Sequence, residues 1–274
     1  MHIFEHQQEL KAFLSSNQQS IGFVPTMGAL HNGHLSLIER AKEENHLVVA
    51  SIFINPTQFN DPNDLERYPI EHESDLKKLE NSGCDVVYLP KSKEDVYQNE
   101  QKFDVDLGFI GETMEALNRP GHFDGVMRVV KLLLEIVSPT RAYFGLKDYQ
   151  QYLVLSKMVN ALNLPTEIIG CDIVREQHGL AMSSRNELLT SEQRENAAVI
   201  YLTLCALKTD YENNRILPID TYYDLITPFG EIEYFELRDA STLEMIAEGR
   251  KENIRAFIVV QFGDVRLIDN MTIS

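Results

Sequence analysis

The chain has 274 residues, 43% of them hydrophobic, so it can form one large domain or two modest domains with a sizeable core. Its 42 acidic side chains outnumber 25 basic ones and give a net charge of −17. Such a surface repels a phosphate backbone, so nucleic acid is excluded as an expected partner. No apolar stretch reaches membrane-spanning length and the start lacks a signal-peptide pattern, so we expect a cytoplasmic protein without a membrane partner.

The first two-thirds of the chain alternates strand-like with helix-like segments. Apolar patterns predict strands at 21–24, 47–54, 85–89, 141–144 and 166–174, and helices at 34–45, 71–82, 126–137 and 148–162. This alternation predicts parallel βαβ units and therefore an α/β fold with a doubly wound parallel sheet. In such sheets ligands gather at the carboxyl ends of the strands, so the loops that follow the strands are the expected site.

The pattern changes near residue 186. Thr190 and Gln193 have the spacing of a capping box, and an apolar helical stripe runs from Ala197 to Leu207. Residues 232–237 and 254–262 have the character of strands. We therefore expect one domain, built on the doubly wound sheet, at 1–178. A small C-terminal α+β domain at 179–274 is expected to close over the site.

The strongest functional motif runs from Pro25 to His34, after a predicted strand and into a predicted helix. His31 and His34 are three residues apart and so share one side of the first turn. Gly28 lets the backbone approach a ligand, and the N–H groups at a helix N-terminus suit phosphate. Imidazoles there can hydrogen-bond phosphate oxygens as charge builds up in a transition state. The alternatives are two ordinary histidines or a zinc site, and zinc would need a third ligand.

A glutamine follows the predicted strand at 47–54. Gln58 closes the segment Asn55-Pro56-Thr57-Gln58, and its amide can both donate and accept hydrogen bonds. That chemistry suits the hydroxyl and carboxylate groups of a small polar acid. Asn55-Pro56 is also common in ordinary turns, so a plain turn remains the alternative.

A lysine lies between the strand predicted at 141–144 and the helix predicted at 148–162. Lys147 belongs to the segment from Gly145 to Asp148, and Gln151 follows one turn later. The lysine can supply a fixed positive charge to a phosphate, and Asp148 suits the N-cap position of the helix. The alternative is a solvated surface lysine, which is the commonest environment of this residue.

The segment Met182-Ser183-Ser184-Arg185 combines two hydroxyls with a guanidinium. These groups together can hold a polyphosphate, because arginine presents several N–H donors to phosphate oxygens. The alternative is a polar linker between two domains.

Together these motifs resemble the pantothenate synthetase family, part of the His-x-Gly-His nucleotidyltransferase group. The resemblance covers about residues 22–270 and includes Arg119-Pro120-Gly121-His122-Phe123 and Arg266-Leu267-Ile268-Asp269-Asn270. It implies a Rossmann-like nucleotidyltransferase fold, with ATP and pantoate bound by a Rossmann-like domain at 1–178, and an AMP-forming ligase. Such an enzyme condenses pantoate with β-alanine through pantoyl adenylate and releases AMP and pyrophosphate. The resemblance also implies ATP, pantoate and β-alanine as small-molecule partners, Mg2+ with ATP, and a homodimer.

The resemblance also implies roles for particular residues. His34, as proton donor, His31, Lys147 and Arg185 are expected to be catalytic. The expected ATP-binding residues are Met27, Gly28, His31, His34, Gly145, Lys147, Asp148, Val174, Met182, Ser183, Ser184 and Arg185. Gln58 and Gln151 are expected to hold pantoate, Gln58 also β-alanine, and Asp75 the magnesium ion. The chain departs from the family pattern at Ile70, Leu146 and His178, and Glu73-Ser74-Asp75 replaces a tandem acidic pair.

Three other interpretations compete with this one. Another nucleotidyltransferase of the group would transfer a nucleotide to a phosphate and stop. The amides of Gln58 and Gln151 argue against that, since a phosphate acceptor would call for more cationic contacts. A class I tRNA synthetase is excluded by the small size and the acidity. A non-catalytic nucleotide-binding regulator is disfavoured because His31, His34, Lys147 and Arg185 are all present.

Overall fold

The computed structural model describes residues 1–16, 19–59, 65–66, 68–98, 100–215, 217–247 and 252–274. The chain divides into two compact units. The larger unit comprises Met1–Leu146 and Gln150–Asp172, and the smaller unit comprises Lys147–Tyr149 and Ile173–Ser274. The expected boundary between residues 178 and 179, and the closing of the small domain over the site, stay predictions.

A six-stranded parallel sheet lies at the centre of the larger unit, in the order β1-β4-β3-β2-β5-β6. Its strands are β1 (His2–Phe4), β2 (Ile21–Thr26), β3 (Leu47–Ile52), β4 (Val86–Tyr88), β5 (Arg141–Gly145) and β6 (Glu167–Cys171). β2 and β3 are buried over almost their whole length, which explains why both sequences are apolar without alternation.

Helices connect these strands. They are α1 (Gln7–Ser15), α2 (Asn32–Glu44), α3 (His72–Asn81), α4 (Lys93–Tyr97), α5 (Glu115–Asn118), α6 (His122–Val137) and α7 (Tyr149–Ala161). Most residues of α6 are buried. It ends at Ser138, which takes the left-handed conformation before Pro139, a residue that cannot continue a helix.

The strand order changes direction at β2. The chain leaves β2 through α2 to reach β3 on one side, whereas β5 pairs with the other side of β2. Open α/β sheets bind ligands at such a switch point, outside the carboxyl ends of the strands. The loop between β2 and α2, which carries the histidine motif, starts at this point.

The smaller unit packs helices on an antiparallel sheet in the order β7-β8-β9. Its main elements are α8 (Ser191–Asn196), α9 (Val199–Glu212), α10 (Tyr223–Ile226), β7 (Glu231–Asp239), β8 (Ile254–Phe262) and β9 (Val265–Thr272). Ile200, Leu204 and Leu207 share one face of α9 and join the same core as Ile258 and Val260 of β8.

The structure confirms the predicted fold class, a doubly wound parallel sheet with a smaller α+β unit. The predicted strands and helices are present with shifted ends; for example, the strand predicted to reach residue 54 ends at Ile52. β1 was not predicted because its three residues are mostly exposed and begin with His2, so they form no apolar run. β9 was not predicted because Asp269 and Asn270 interrupt its apolar pattern. Within the residues described above, no helix combines the length and apolar character needed to cross a bilayer.

Candidate active site

Two histidines cap the N-terminus of α2. His31 is the N-cap residue, and its Nδ1 accepts the N–H of Gly33 at 3.1 Å. The Nδ1 of His34 accepts the N–H of His31 at 3.3 Å. The His31 side chain also accepts from the backbone of His34, the N3 residue, so the two histidines form a capping box in which imidazoles replace the usual Ser or Thr and Glu or Gln. The ring centroids lie 4.0 Å apart.

This capping box fixes the tautomer of both rings. A ring nitrogen that accepts a backbone N–H carries no proton, so the proton of each neutral imidazole lies on Nε2. His31 and His34 therefore each present an Nε2–H donor on the far side of the ring from the cap. A pair of such donors at a helix N-terminus suits a phosphate.

Helix α3 holds the loop that precedes the histidines. Gly28 and Ala29 both have positive φ, of 86° and 50°, and this conformation is strained for alanine. The fully buried Asp75 accepts the N–H of Ala29 at 2.9 Å and that of Leu30 at 2.8 Å, one with each carboxylate oxygen. Lys78 Nζ donates to the carbonyl of Leu30 at 2.8 Å. These contacts stabilise a loop conformation that the local sequence would not favour by itself.

The contacts of Asp75 bear on the expected magnesium site. Each of its carboxylate oxygens already accepts a backbone N–H. In the described part of the chain, no three His, Cys, Asp or Glu side chains are grouped so that they could hold a metal ion. Magnesium commonly takes one or two carboxylates and completes its shell with water and substrate phosphates, so a single contact is compatible with this arrangement. The assignment of Asp75 stays a prediction.

Gln58 and Met27, from two different loops, are brought together by the structure. Gln58 Nε2 lies 2.9 Å from Met27 Sδ. The buried Asn55 donates from Nδ2 to Gln58 Oε1 at 3.2 Å and to the Gly125 carbonyl at 3.1 Å. Asn55 therefore orients the amide that was expected to bind pantoate. From the sequence, Asn55 was an ordinary turn residue, and its contact with α6 could not be foreseen.

The Arg119–Phe123 motif holds the main chain of Gln58. His122 Nδ1 lies 2.8 Å from the Gln58 carbonyl and donates to it, and Arg119 donates to His122 Nε2 at 3.2 Å. Gly125 allows the close approach of α6, since a Cβ there would lie 2.3 Å from the Thr57 carbonyl oxygen. The sequence indicates His122 only as part of the family resemblance, and the structure shows that it contacts the main chain of Gln58.

The neighbouring residues Gln150 and Gln151 have different environments in the structure. The buried Gln150 donates to the carbonyls of Ile110 and Thr113 at 2.8 and 2.9 Å and accepts the N–H of Glu115 at 3.0 Å. It therefore anchors the segment from Ile110 to Glu115 to α7. Gln151, the residue expected to bind pantoate, is half-buried in the first turn of the same helix. Its role stays a prediction.

In the smaller unit, the expected ATP-binding residues follow a short hairpin. The Met182 N–H donates to the Val174 carbonyl at 2.9 Å. Ser183 then caps a 3-10 turn, where its Oγ accepts the Arg185 N–H at 3.3 Å. The Ser183 hydroxyl proton is not used in this cap, so it can still be donated to a ligand.

Lys147 also belongs to the smaller unit, although Gly145 and Leu146 before it belong to the larger one. Its side chain is only 18% exposed, and Nζ lies 4.0 Å from Asp148 Oδ2. The side chain is therefore partly buried, with its ammonium group close to one carboxylate. The role of Lys147 in binding phosphate stays a prediction.

Comparison with known proteins identifies the family. The family model described as Pantoate-beta-alanine ligase matches residues 2–272. The chain belongs to the pantoate–β-alanine ligase family. A pantothenate synthetase of Cytophaga hutchinsonii is similar, with 43% identity over 275 residues that cover 97% of each chain. The resemblance inferred from the motifs is thus confirmed, and the activity of the ligase is the joining of pantoate to β-alanine.

Solved structures of the same ligase are similar in fold. Pantothenate synthetase from Thermus thermophilus gives a TM-score of 0.93 with 38% identity, covering 100% of this chain and 99% of that one. Pantoate-beta-alanine ligase from Francisella tularensis gives a TM-score of 0.81 with 36% identity, covering 100% and 98%. The Francisella protein was crystallised in complex with beta-gamma ATP and β-alanine.

Proposed function

We propose that this ligase works in two steps, through a pantoyl-adenylate intermediate, and releases AMP and pyrophosphate. The observation that carries the proposal is the capping box of His31 and His34. It turns two Nε2–H donors away from the helix backbone at the switch point of the sheet. The ATP compound bound by the Francisella relative supports a nucleotide substrate here.

In the first step the carboxylate of pantoate attacks the α-phosphorus of ATP. An oxygen–phosphorus bond forms, the bond to the β-phosphate oxygen breaks, and pyrophosphate leaves with that electron pair. A carboxylic acid has a pKa near ~4, so the nucleophile is already ionised at neutral pH and needs no base. The step needs in-line positioning and stabilisation of charge on the phosphate oxygens.

Imidazole and cationic side chains supply that stabilisation in the proposal. The Nε2–H groups of His31 and His34 donate to phosphate oxygens, with His34 as proton donor. Lys147 and Arg185 add positive charge. The remaining residues proposed to contact ATP are Met27, Gly28, Gly145, Asp148, Val174, Met182, Ser183 and Ser184. Mg2+ accompanies ATP and offsets phosphate charge, with Asp75 as the proposed protein contact.

Gln58 and Gln151 bind pantoate in the proposal, and Gln58 also binds β-alanine. An amide can bond hydroxyl and carboxylate oxygens without the strong attraction of a cation. A tight ion pair would stabilise the ground state and slow the attack, so a neutral partner leaves the carboxylate reactive. Asn55 and His122 support this role, since they hold the side chain and the main chain of Gln58.

In the second step the amine of β-alanine attacks the acyl carbon of pantoyl adenylate. A carbon–nitrogen bond forms, the bond from the acyl carbon to the AMP oxygen breaks, and AMP leaves with that electron pair. The amine must be neutral when it attacks, and the ammonium product then loses a proton.

We further propose that the enzyme is a homodimer and that it is cytoplasmic. Light scattering of the purified enzyme measures its oligomeric state.

Pantoate-dependent exchange of pyrophosphate into ATP, measured without β-alanine, tests the proposal. An adenylate intermediate makes the first step reversible without the amine, so we expect exchange that requires pantoate. Gln58→Ala should raise the pantoate concentration needed for half-maximal exchange about tenfold, because a lost hydrogen bond of this kind costs about 1–3 kcal/mol. The exposed Gln98 provides a matched control, and Gln98→Ala should behave like the wild type.

The outcomes separate the alternatives. Wild-type enzyme that makes pantothenate but shows no exchange would contradict a freely reversible adenylate step. Exchange driven by a phosphorylated acceptor instead of pantoate would favour the simple nucleotidyltransferase. If Gln58→Ala and Gln151→Ala both respond to pantoate like the wild type, these glutamines do not form the acid site.

A further inference from the structure

The main chain of Lys147 is held by a residue 123 positions later in the sequence. Asn270 of β9 donates from Nδ2 to the Lys147 carbonyl at 2.9 Å. Asn270 is almost fully buried, at 2% exposure. Buried polar groups in proteins are nearly always hydrogen-bonded. The contact with Lys147 is one of the hydrogen bonds of the Asn270 amide.

Asn270 is itself held on two sides. The guanidinium of Arg255 donates to Asn270 Oδ1, and this leaves the NH2 end of the amide directed at Lys147. The same guanidinium lies 4.0 Å from the ring centroid of Tyr149. The Asn270 backbone N–H donates to Asp269 Oδ1 at 2.8 Å. The orientation of the amide is therefore fixed before any ligand binds.

Asp269 holds a second segment. Its buried carboxylate accepts two hydrogen bonds from Arg175, at 2.6 and 3.0 Å. Arg175 also donates to the Gly179 carbonyl at 3.1 Å and lies 4.2 Å from the ring centroid of Tyr201. This side chain belongs to the hairpin that carries Val174 at one end. Two neighbouring residues of β9 thus hold the lysine segment and the hairpin.

We propose that Asn270 is a positioning residue that sets where the ammonium group of Lys147 lies. The inference rests on the proposed role of Lys147 in the use of ATP. A charge that stabilises a transition state acts only from the correct position, and a displacement of about 1 Å can cost a factor of about 10² in rate. Asn270 fixes the backbone from which the Lys147 side chain extends, so its amide controls that position without touching ATP.

A double-mutant cycle tests this role. Asn270→Asp keeps the size and the contact with Arg255 but replaces the amide donor by an oxygen that repels the Lys147 carbonyl. Asn270→Asp and Lys147→Ala are made singly and together, and kcat/KM for ATP is measured as pantothenate formed. This readout does not assume that the intermediate is an adenylate. We expect Asn270→Asp to lower kcat/KM by about tenfold or more in the wild type and by less than about twofold in Lys147→Ala.

Asn213→Asp is the matched control. Asn213 also donates from its amide to a backbone carbonyl of the smaller unit, that of Thr209, at 2.7 Å. It contacts the end of α9 instead of Lys147, so its loss should leave kcat/KM for ATP unchanged. Circular dichroism of each variant verifies that the fold is intact. If Asn270→Asp does not fold, Arg255→Gln, which removes the guanidinium that donates to Asn270 Oδ1, takes its place in the same cycle.

Three results would overturn the inference. An equal loss in both backgrounds would mean that Asn270 acts on activity through general stability and independently of Lys147. Wild-type kcat/KM in Asn270→Asp, with a large loss in Lys147→Ala, would refute positioning but leave the role of Lys147 intact. Wild-type ATP dependence in Lys147→Ala itself would remove both the inference and the proposed contact between Lys147 and ATP.

Discussion

Helices α2 and α8 begin with the same arrangement of hydrogen bonds but with different residues. At α8, Thr190 Oγ1 accepts the Gln193 N–H at 3.2 Å and Gln193 Oε1 accepts the Thr190 N–H at 2.9 Å. At α2 the same two positions are His31 and His34. Threonine is a favoured N-cap residue and histidine is not, so stability does not explain the imidazoles. What they add is a pair of Nε2–H donors, and we attribute those to catalysis.

Replacing the histidines should have the largest effect. We expect His34→Ala and His31→Ala each to lower kcat by about 10² to 10³, the usual consequence of removing one donor to a developing charge. Thr190→Ala is the matched control. It breaks the equivalent box of α8, costs about 0.5–2 kcal/mol of stability and should leave kcat unchanged. Steady-state kinetics and urea unfolding of the variants measure the two effects.

A further variant separates the cap from the chemistry. His31→Asn introduces a residue that is favoured at the N-cap and lacks an imidazole. Stability should return close to the wild-type value while turnover stays low. Recovery of turnover in His31→Asn would show that the histidine serves only as a cap, and the contrast between α2 and α8 would then have no catalytic meaning.

The support of the histidine loop by Asp75 should give the next largest effect. Asp75→Asn replaces one acceptor oxygen by a donor, so either the Ala29 or the Leu30 N–H loses its partner, at a cost of about 1–3 kcal/mol. We expect kcat to fall by up to about 10², since the loop positions His31. Glu73→Gln on the exposed face of α3 is the control and should match the wild type.

The same variant also separates two roles of Asp75. If the carboxylate only supports the loop, the Mg2+ concentration needed for half-maximal rate should not change in Asp75→Asn. If it also contacts the metal that accompanies ATP, that concentration should rise. Unchanged kcat and unchanged Mg2+ dependence together would contradict both roles.

Local sequence signals predicted one capping box and missed the other. Thr190 and Gln193 are residue types that recur at these positions, so the start of α8 could be predicted from four residues and is confirmed. Histidine is not a usual cap, so His31 and His34 were interpreted through phosphate binding alone. The parallel strands could also be predicted, because a strand buried on both faces leaves an uninterrupted apolar run.

Contacts between distant residues could not be predicted. Asp75 and Leu30 are 45 residues apart, and Asn270 and Lys147 are 123 apart. In both pairs a side chain contacts a main-chain group. Every residue has such a group, so the identity of the partner residue gives no signal in the sequence. The family resemblance indicated that the segment from Arg266 to Asn270 matters, but only the structure shows which main chain it holds.

We expect acid to lower the stability of the protein by protonating Glu176, which accepts hydrogen bonds from Arg194 of α8. Burial raises the pKa of Glu176, but hydrogen bonds from Arg194 of α8 and from Asn186 outweigh it, so the pKa lies below its ordinary value of 4.5. Its stabilising effect is therefore present above pH 4.5 and lost as the pH falls through the lowered pKa. We expect Glu176→Gln to be less stable than the wild type at pH 7, with the difference disappearing in acid. A constant difference across the pH range, measured by urea unfolding, would contradict this.

The two-step route is tested most directly by the fate of the carboxylate oxygens of pantoate. If the carboxylate attacks the α-phosphorus, the oxygen that bridges the acyl group and phosphorus stays with AMP when β-alanine displaces it. Pantoate labelled with 18O in its carboxylate, turned over with ATP and β-alanine, should therefore give AMP that carries one 18O atom, seen by mass spectrometry. Label found in inorganic phosphate, with ADP as the other product, would contradict the adenylate route and indicate attack on the γ-phosphorus.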